Sequence, residues 1–158
     1  MRITGLSRDL VNSVLALMDQ GAPYVKARTA SDYWLYARLF ASTCPVAIVD
    51  GFVVGAVIAM RSQEDPSEIY IQDVMVHPDY RREGVAAALV GSVRARAERW
   101  GCKRIYLTSE PGNAAASGAW TSMGFVNSPG DYAVNGVSIV RGFKGPGKDR
   151  AVFELTLS

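Results

Sequence analysis

The chain has few side chains that bind metals, since its 158 residues include two cysteines and one histidine. Cys44 and Cys102 fit neither the spacing of a metal site nor that of a disulfide framework. We therefore expect no bound metal and two reduced thiols, which is the usual state of cysteine in the cytoplasm. A cytoplasmic location is the resulting prediction.

Long apolar runs and strong charge are also missing. No apolar run approaches the ~20 residues that a membrane-spanning helix needs, and the first residues lack the apolar core of a signal peptide. Lys and Arg number 17 against 15 Asp and Glu. Such weak basic character argues against a nucleic-acid-binding protein. Neither a membrane nor a nucleic acid is expected as a partner.

Apolar residues, by contrast, are plentiful and make up 49% of the chain, as a globular protein requires. The length suits one domain that covers residues 1–158. Helices are predicted from a Ser7 cap to Gly21, from a Ser31-Asp32 cap to Phe40, after Gly84, and before Gly124. Strands are predicted at Met1–Thr4, Pro45–Val49, Phe52–Met60, Ile69–Val76, Ile105–Thr108 and Ala151–Leu157, with a hairpin at Asn135-Gly136. This order predicts a mixed α/β domain of about seven strands and about four helices.

The most informative segment covers residues 70–89. An apolar strand ends at Pro78, a short basic loop follows, and an Ala-rich helix begins after Gly84. The first turn of a helix has N–H groups without internal partners, and its dipole attracts anions. Gly84 and Ala86 add so little bulk that a diphosphate can approach the backbone. Strand, loop and helix together predict a phosphate site.

Two common phosphate motifs are absent, because the loop has neither the Gly-Lys-Ser/Thr of a P-loop nor a complete Gly-x-Gly-x-x-Gly. The pattern that remains, Arg81-x-x-Gly84-x-Ala86, resembles the pyrophosphate loop of the GNAT superfamily of N-acetyltransferases. That loop reads Arg/Gln-x-x-Gly-x-Gly/Ala. The family's second pattern follows at the expected spacing, with Asn113, Trp120 and Gly124-Phe125. The resemblance covers residues 68–126.

The resemblance implies the GNAT fold, with a central, mostly antiparallel mixed sheet flanked by helices, and acetyl-CoA as co-substrate. By position, it assigns coenzyme binding to Val74, Met75, Val76, Arg81, Arg82, Glu83, Gly84, Val85, Ala86, Ala87, Asn113 and Trp120. The first three would pair with the pantetheine arm through their backbone, and the loop would hold the pyrophosphate. The arginines either contact phosphate or form a solvated pair beside Glu83. Asn113 contacts the coenzyme arm, caps a helix, or does both.

The family reaction is direct transfer, in which a neutral amine attacks the thioester carbonyl. The oxygen that becomes negative would be held by a backbone N–H of Val74 or Met75. The incoming ammonium must lose a proton, and the sequence offers two candidate bases, Asp73 and Glu110. Strand alternation leaves open whether Asp73 faces the core, and a bulge in this strand would change its side.

The sulfur is the second proton problem. Many family members place a tyrosine at the position of Trp120 to protonate the leaving thiolate. An indole N–H donates a hydrogen bond but is no usable acid near neutral pH. Either the thiolate leaves unprotonated, or a water or another hydroxyl acts, with Tyr132 and Ser117 as candidates.

The acceptor site has no diagnostic motif. The family resemblance places its walls at the first two helices and the C-terminal strands. The aromatic residues in the region of the second helix are Tyr24, Tyr33, Trp34, Tyr36 and Phe40, and Asp32 lies beside them. Of these, Asp32, Tyr33, Trp34 and Tyr36 are the candidate binding residues. Aromatic walls and a carboxylate suit a cationic amine, although the same aromatics can equally be core. Asp131 and Tyr132 are candidates for the opposite wall, and Lys144–Arg150 is expected to be an exposed turn.

We therefore expect an acetyl-CoA-dependent N-acetyltransferase that acts on the primary amine of a small molecule. An aminoglycoside-type antibiotic is one candidate, which would imply a role in antibiotic resistance. The alternatives are a protein N-terminal or lysine acetyltransferase and a non-catalytic acetyl-CoA sensor. The family resemblance also makes a homodimer a candidate state.

Overall fold

The computed structural model describes residues 1–158, with nine strands and four α-helices. The helices are α1 (Val11–Met18), α2 (Ala30–Phe40), α3 (Val85–Arg99) and α4 (Ala114–Ser122). The strands are β1 (Arg2–Gly5), β2 (Pro45–Val49), β3 (Phe52–Arg61), β4 (Glu68–Val76), β5 (Arg104–Ser109), β6 (Val126–Asn127), β7 (Tyr132–Val134), β8 (Val137–Ile139) and β9 (Ala151–Thr156). None of the helices combines the length and the apolar character of a membrane span.

Seven strands form one sheet in the order β1-β2-β3-β4-β5-β9-β6. Only the β4–β5 pair is parallel, and every other pair in this sheet is antiparallel. The predicted mixed, mostly antiparallel sheet is confirmed. The predicted hairpin at Asn135-Gly136 is present as well, but β7 and β8 form a separate two-stranded sheet. Both turn residues have positive φ, 51° and 81°, as this tight turn requires.

The sheet has two covered faces, because strand side chains alternate between them. Ala47 belongs to the core under α3 and α4, whereas its neighbours Val46 and Ile48 belong to the core under α1 and α2. We call these sides the α3 face and the α1 face. On the α3 face, Val85 and Leu89 anchor the first two turns of α3, as the four-residue periodicity predicts.

A bulge in β4 changes which face its side chains occupy. Ile58 of β3 pairs with Asp73, but the next residue, Ala59, pairs with Ile71, so Gln72 is an extra residue in β4. Ile71 is buried in the core of the α3 face, and Met75 is buried in the core of the α1 face. Two residues before Met75, Asp73 therefore lies on the α1 face.

Ion pairs connect the parallel strands β4 and β5 at their first residues. Arg104 of β5 donates to Glu68 of β4 at 3.0 Å and to Glu154 of β9 at 2.6 Å. Next to these ion pairs, the rings of Tyr70 and Tyr106 lie 5.1 Å apart on the α1 face. The three central strands are thus held by charge and ring contacts at one end.

Two predicted helix caps are wrong. The N-cap of α2 is Thr29, whose Oγ1 accepts from the Asp32 N–H at 3.2 Å, while the Asp32 carboxylate accepts from the Thr29 N–H at 3.0 Å. This reciprocal capping box satisfies two backbone donors, so the helix begins before Ser31. Ser7 precedes only a short 3₁₀ turn and makes no capping bond, and α1 begins at Val11.

Gly91 provides a test of helix energetics in α3. It lies on the exposed side of the helix, and a Cβ added there would meet no atom within 4 Å. We expect Gly91→Ala to raise the free energy of unfolding by about 0.5–1 kcal/mol, because alanine loses less backbone entropy on folding. Urea denaturation with an unchanged m-value would measure this gain. A lower urea midpoint for Gly91→Ala would contradict the finding that there is open space beside this position.

Candidate active site

The central feature of the site is a gap in the sheet between β4 and β5. The two strands pair from Glu68 and Arg104 as far as Ile71 and Leu107, and no further. Beyond that point β4 continues beside β3 and β5 continues beside β9. The edges that face each other across the gap have no strand partner, so they offer backbone groups to a ligand.

A cavity of about 420 Å³ occupies this gap. Residues 71–74 of β4 and 107–109 of β5 line its centre. On the α3 face it is lined by α4 residues and their cap, Asn113, Ala116 and Trp120. The rest of the lining comes from the segment before α2 and the segment before β9, namely Tyr24, Val25, Lys26, Arg28, Lys144, Lys148 and Arg150, together with Glu110.

The basic part of the lining lies on the α1 face. Lys144 Nζ lies 5.7 Å from the centre of the Tyr70 ring. The neighbours of Tyr70 in β4, Ile69 and Ile71, are both buried on the α3 face, so Tyr70 and the lysine above it are on the other side. Trp120 packs against the core of the α3 face. The cavity therefore runs through the sheet from one face to the other.

The phosphate loop lies at the start of α3, as the sequence predicts. Gly84 is the N-cap with a φ of 80°, and no side chain caps the first turn. A Cβ on Gly84 would meet no atom within 4 Å, so the space beside the loop is open. Arg81, Arg82 and Glu83 are exposed around it. These features fit a diphosphate, because uncapped N–H groups at a helix N-terminus bind anions.

Asp73 lines the cavity from β4. Its Oδ2 is buried and has no hydrogen-bond partner. Burial raises the pKa of Asp73 above its ordinary value, against the opposing effect of the Arg28 and Lys144 charges. With its amide oxygen oriented toward Arg28, the adjacent Gln72 accepts from this guanidinium at 3.2 and 3.3 Å. Asp73 is thus a half-buried carboxylate that has one oxygen shielded from water and no direct ion pair.

Glu110 and Asn113 line the same cavity beyond the end of β5. Asn113 is the N-cap of α4, and its Oδ1 accepts from the Ala116 N–H at 3.2 Å. This establishes the capping role that the sequence left open, while its contact with a coenzyme stays a prediction. Both candidate bases, Glu110 and Asp73, therefore line the same cavity.

Trp120 has its indole nitrogen buried without a hydrogen-bond partner. Its ring lies 5.8 Å from that of Phe125, in the core of the α3 face. An indole cannot supply a proton near neutral pH. We therefore expect Trp120→Phe to keep kcat within about 3-fold of the wild type, since only packing and one donor are lost. A loss above about 100-fold in a steady-state assay would instead assign the N–H a role in the reaction.

Of the residues predicted for the acceptor walls, Tyr24 lines the cavity, whereas the four candidate residues of α2, Asp32, Tyr33, Trp34 and Tyr36, do not. Tyr33 is fully buried in the core of the α1 face, where its hydroxyl accepts from the Arg28 N–H at 3.0 Å. Tyr36 packs edge-on against it with 5.7 Å between ring centres. Asp32 belongs to the α2 cap, and Trp34 lines a separate depression. The helix turns its aromatic residues into the core or away from the gap.

The two candidate hydroxyl acids are also occupied elsewhere. Tyr132 donates to Asp149 at 2.5 Å and does not line the cavity. This hydrogen bond to a carboxylate raises the pKa of Tyr132 and lowers that of Asp149. Ser117 donates to the Asn113 carbonyl at 3.2 Å. The catalytic role of Tyr132 stays a prediction, which this placement does not support.

Sequence reasoning missed the basic residues that line the α1 half of the cavity. Lys144 and Lys148 are exposed, as expected, whereas Asp149 and Arg150 are half-buried. Lys144, Lys148 and Arg150 all line the cavity. The segment is closed by a bridge between Val140 and Arg150 and follows the β7–β8 hairpin. The only signal in the sequence was the density of basic residues in a Gly- and Pro-rich run.

Similarity to known proteins defines the family of this chain. The profile of the acetyltransferase (GNAT) family matches residues 12–125, so the chain belongs to this family. It is 36% identical over 92 residues to an L-2,4-diaminobutyric acid acetyltransferase of Streptomyces avermitilis, a match that covers 57% of this chain and 51% of that protein. The chain thus spans about half the length of the curated relatives that it matches first.

Solved structures show the same fold. The Ard1 structure from Thermoplasma volcanium superposes with a TM-score of 0.81 at 17% identity, over 99% of this chain and 97% of that one. The diaminobutyrate acetyltransferase EctA from Paenibacillus lautus, in complex with L-2,4-diaminobutyric acid and coenzyme A, gives a TM-score of 0.78 at 21% identity, over 98% and 93%. At such identities the similarity establishes the fold.

Proposed function

We propose that this protein is an acetyl-CoA-dependent N-acetyltransferase that acts on the primary amine of a small molecule by direct transfer. One observation carries the proposal: a single cavity passes through the sheet and joins the two faces. On one face lie the phosphate loop and α4, and on the other lie the carboxylate of Asp73 and an open approach for an amine. A donor and an acceptor can therefore meet in the gap from opposite sides.

The donor half is formed by groups that fit a coenzyme. The free edge of β4 at Val74, Met75 and Val76 can pair with an amide-containing arm, and the loop at Arg81–Ala87 can hold a diphosphate. Asn113 and Trp120 close this half from α4. When bound there, acetyl-CoA supplies an acetyl group activated as a thioester. The backbone N–H groups of Val74 and Met75 are candidates to stabilise negative charge on the carbonyl oxygen.

Asp73 is the proposed general base. An amine reacts only after it loses a proton, and a carboxylate whose pKa lies above its ordinary value accepts that proton more readily. The unpartnered Oδ2 of Asp73 is a free acceptor, and no ion pair holds this carboxylate. Glu110 faces the same space and is proposed to attract the incoming ammonium.

We propose that the sulfur leaves as a thiolate, because none of the residues predicted as its acid is free to act. Trp120 has no acidic proton, and the hydroxyls of Ser117 and Tyr132 donate elsewhere. A thiol has an ordinary pKa of about 8.5, so its anion is a workable leaving group near neutral pH.

The acceptor is proposed to be an amino-bearing metabolite of modest size. Two curated relatives are named as acetyltransferases of L-2,4-diaminobutyric acid, which is a small amino acid with two amines. The lining of the cavity contains five Lys or Arg residues and two Asp or Glu residues. This balance disfavours an aminoglycoside-type acceptor, because several ammonium groups would be repelled.

Thiol release from acetyl-CoA tests the proposal, with L-2,4-diaminobutyric acid, polyamines, an aminoglycoside and a short peptide as acceptors. We expect release with one class of small amine. Release with the peptide alone would favour a protein acetyltransferase. Acetyl-CoA binding by calorimetry without transfer to any amine would favour a sensor, and absence of binding would overturn the assignment of the donor half.

A further inference from the structure

The cavity contains a cluster of cations that the transfer reaction itself does not require. Arg28, Lys144, Lys148 and Arg150 line it together. None of the four takes part in an ion pair within 4.0 Å, since every salt bridge of the protein joins other residues. Cations outnumber carboxylates in the lining of the cavity, so the cluster is suited to an anion from outside.

Hydrogen bonds fix the backbone of the loop that carries Lys144, Lys148 and Arg150. Val140 and Arg150 exchange two backbone hydrogen bonds, of 2.7 and 3.1 Å, and so close the loop between them. Within the loop, Asp149 accepts from the Gly142 N–H at 2.8 Å and from the Tyr132 hydroxyl at 2.5 Å. Tyr132 is therefore a positioning residue that ties the basic loop to the β7–β8 hairpin.

The phosphates of a coenzyme do not account for this cluster. The phosphate loop is on the α3 face, where α3 packs, whereas Lys144 lies over Tyr70 on the α1 face. Arg28 lies on the α1 face too, because its N–H is bonded to the Tyr33 hydroxyl in that core. The sheet thus separates the cation cluster from the phosphate loop.

On the same face, the carboxylates of Asp73 and Glu110 line the cavity beside the cations. A ligand that matches both charges must carry a positive and a negative group. We propose that the acceptor bears a carboxylate in addition to its primary amine, with the carboxylate bound by the cluster of Arg28, Lys144, Lys148 and Arg150. This inference rests on the proposed function and deepens it by naming the charge pattern of the substrate.

Matched acceptors test the inference directly. L-Lysine and cadaverine share a terminal primary amine and differ by one carboxylate, and lysine methyl ester masks that carboxylate. We expect kcat/KM for L-lysine to exceed that for cadaverine and for the ester by about tenfold or more, as a charge-assisted contact provides. Equal values for all three, or a preference for cadaverine, would overturn the inference while leaving the proposed transferase activity in place.

Variants of the basic residues distinguish a direct contact with the acceptor carboxylate from an indirect effect of charge on Asp73. Lys148 does not contribute to the pKa shift of Asp73, whereas Lys144 and Arg28 do. We expect Lys148→Gln to lower the lysine-to-cadaverine ratio by about 3-fold or more, because the loss falls on the acceptor that has a carboxylate. The exposed Lys103, outside the cavity, provides the matched control Lys103→Gln, with an unchanged ratio. An unchanged ratio in Lys148→Gln and in Arg150→Gln would overturn the assignment of the cluster.

A binding measurement covers the case of no turnover. Calorimetry with L-lysine and with cadaverine, each added to the protein with coenzyme A, compares their affinities without the reaction. Tighter binding of L-lysine supports the carboxylate site even if no thiol is released. The absence of thiol release would then count against the proposed transferase activity and not against the carboxylate site. Equal binding overturns the inference.

Discussion

Replacement of Asp73 by asparagine is expected to lower kcat/KM by about 10²- to 10⁴-fold at neutral pH, the usual contribution of a positioned base. Asparagine keeps the shape of the side chain but cannot accept a proton. The pH profile gives a second readout. In the wild type, kcat/KM should fall as the pH drops through the raised pKa of Asp73, and this limb should be missing in Asp73→Asn.

Stability distinguishes this loss from unfolding. Because the pKa of Asp73 is raised, the folded protein binds this proton more tightly than the unfolded chain does. The stability contributed by this group is therefore highest below its ordinary pKa and falls as the pH rises through the raised value. Asp73→Asn removes a carboxylate that is unfavourable at pH 7, so its Tm there should be no lower than that of the wild type.

Glu110→Gln is the matched control in the same cavity, and we expect a loss of less than about tenfold in kcat/KM, since only attraction of the ammonium is weakened. A full loss in Glu110→Gln with near-normal activity in Asp73→Asn would reverse the two roles. A fall in the Tm of Asp73→Asn would show that the carboxylate holds the structure instead.

Replacement of Gly84 by valine is expected to weaken acetyl-CoA binding by about tenfold or more. A β-branched residue at the observed φ of 80° is strained by about 1–2 kcal/mol. In the free protein, the loop can leave this conformation and so relieve the strain. Binding of acetyl-CoA must then restore the strained conformation, which lowers the affinity. The added side chain would also occupy the open space beside the helix start, where nothing lies within 4 Å of a Cβ. Calorimetric titration with acetyl-CoA measures the change.

Gly91→Val is the matched control, since this glycine also meets nothing within 4 Å but lies in the interior of α3 with no positive φ. It should leave the Kd for acetyl-CoA unchanged. In Gly84→Val, kcat at saturating acetyl-CoA should stay near the wild-type value, because the loop binds and does not react. A normal Kd in Gly84→Val would show that the diphosphate lies elsewhere.

The sequence predicted those parts of the molecule that depend on local rules. The turn at Asn135-Gly136 and the start of α3 at Gly84 depend on backbone conformations that few residues adopt. A short sequence pattern was therefore enough to predict the position of both. The buried side of α3, which includes Val85, Leu89, Val93 and Ala97, followed from helical periodicity. The cap of α2 was misplaced by two residues because Thr29, Ser31 and Asp32 are all good cap formers, and only the reciprocal bonds select Thr29.

The acceptor half could not be predicted in the same way, because it depends on contacts between distant segments. Arg28 and Lys144 are more than a hundred residues apart, yet both line one cavity. The direction of Tyr33 is set by packing on the sheet, and the side of Asp73 is set by the extra residue Gln72. No short pattern in the chain marks these choices.

The unpaired stretch of β4 and β5 also has a mechanical meaning. The large sheet consists of two hydrogen-bonded halves, β1 to β4 and β5 with β9 and β6, and the only ladder between them is the short parallel one. Arg104, with Glu68 and Glu154, clamps one end of this seam. The other end can widen or narrow without the loss of a single hydrogen bond inside either half. This seam is therefore the place where the sheet can open with the fewest broken hydrogen bonds.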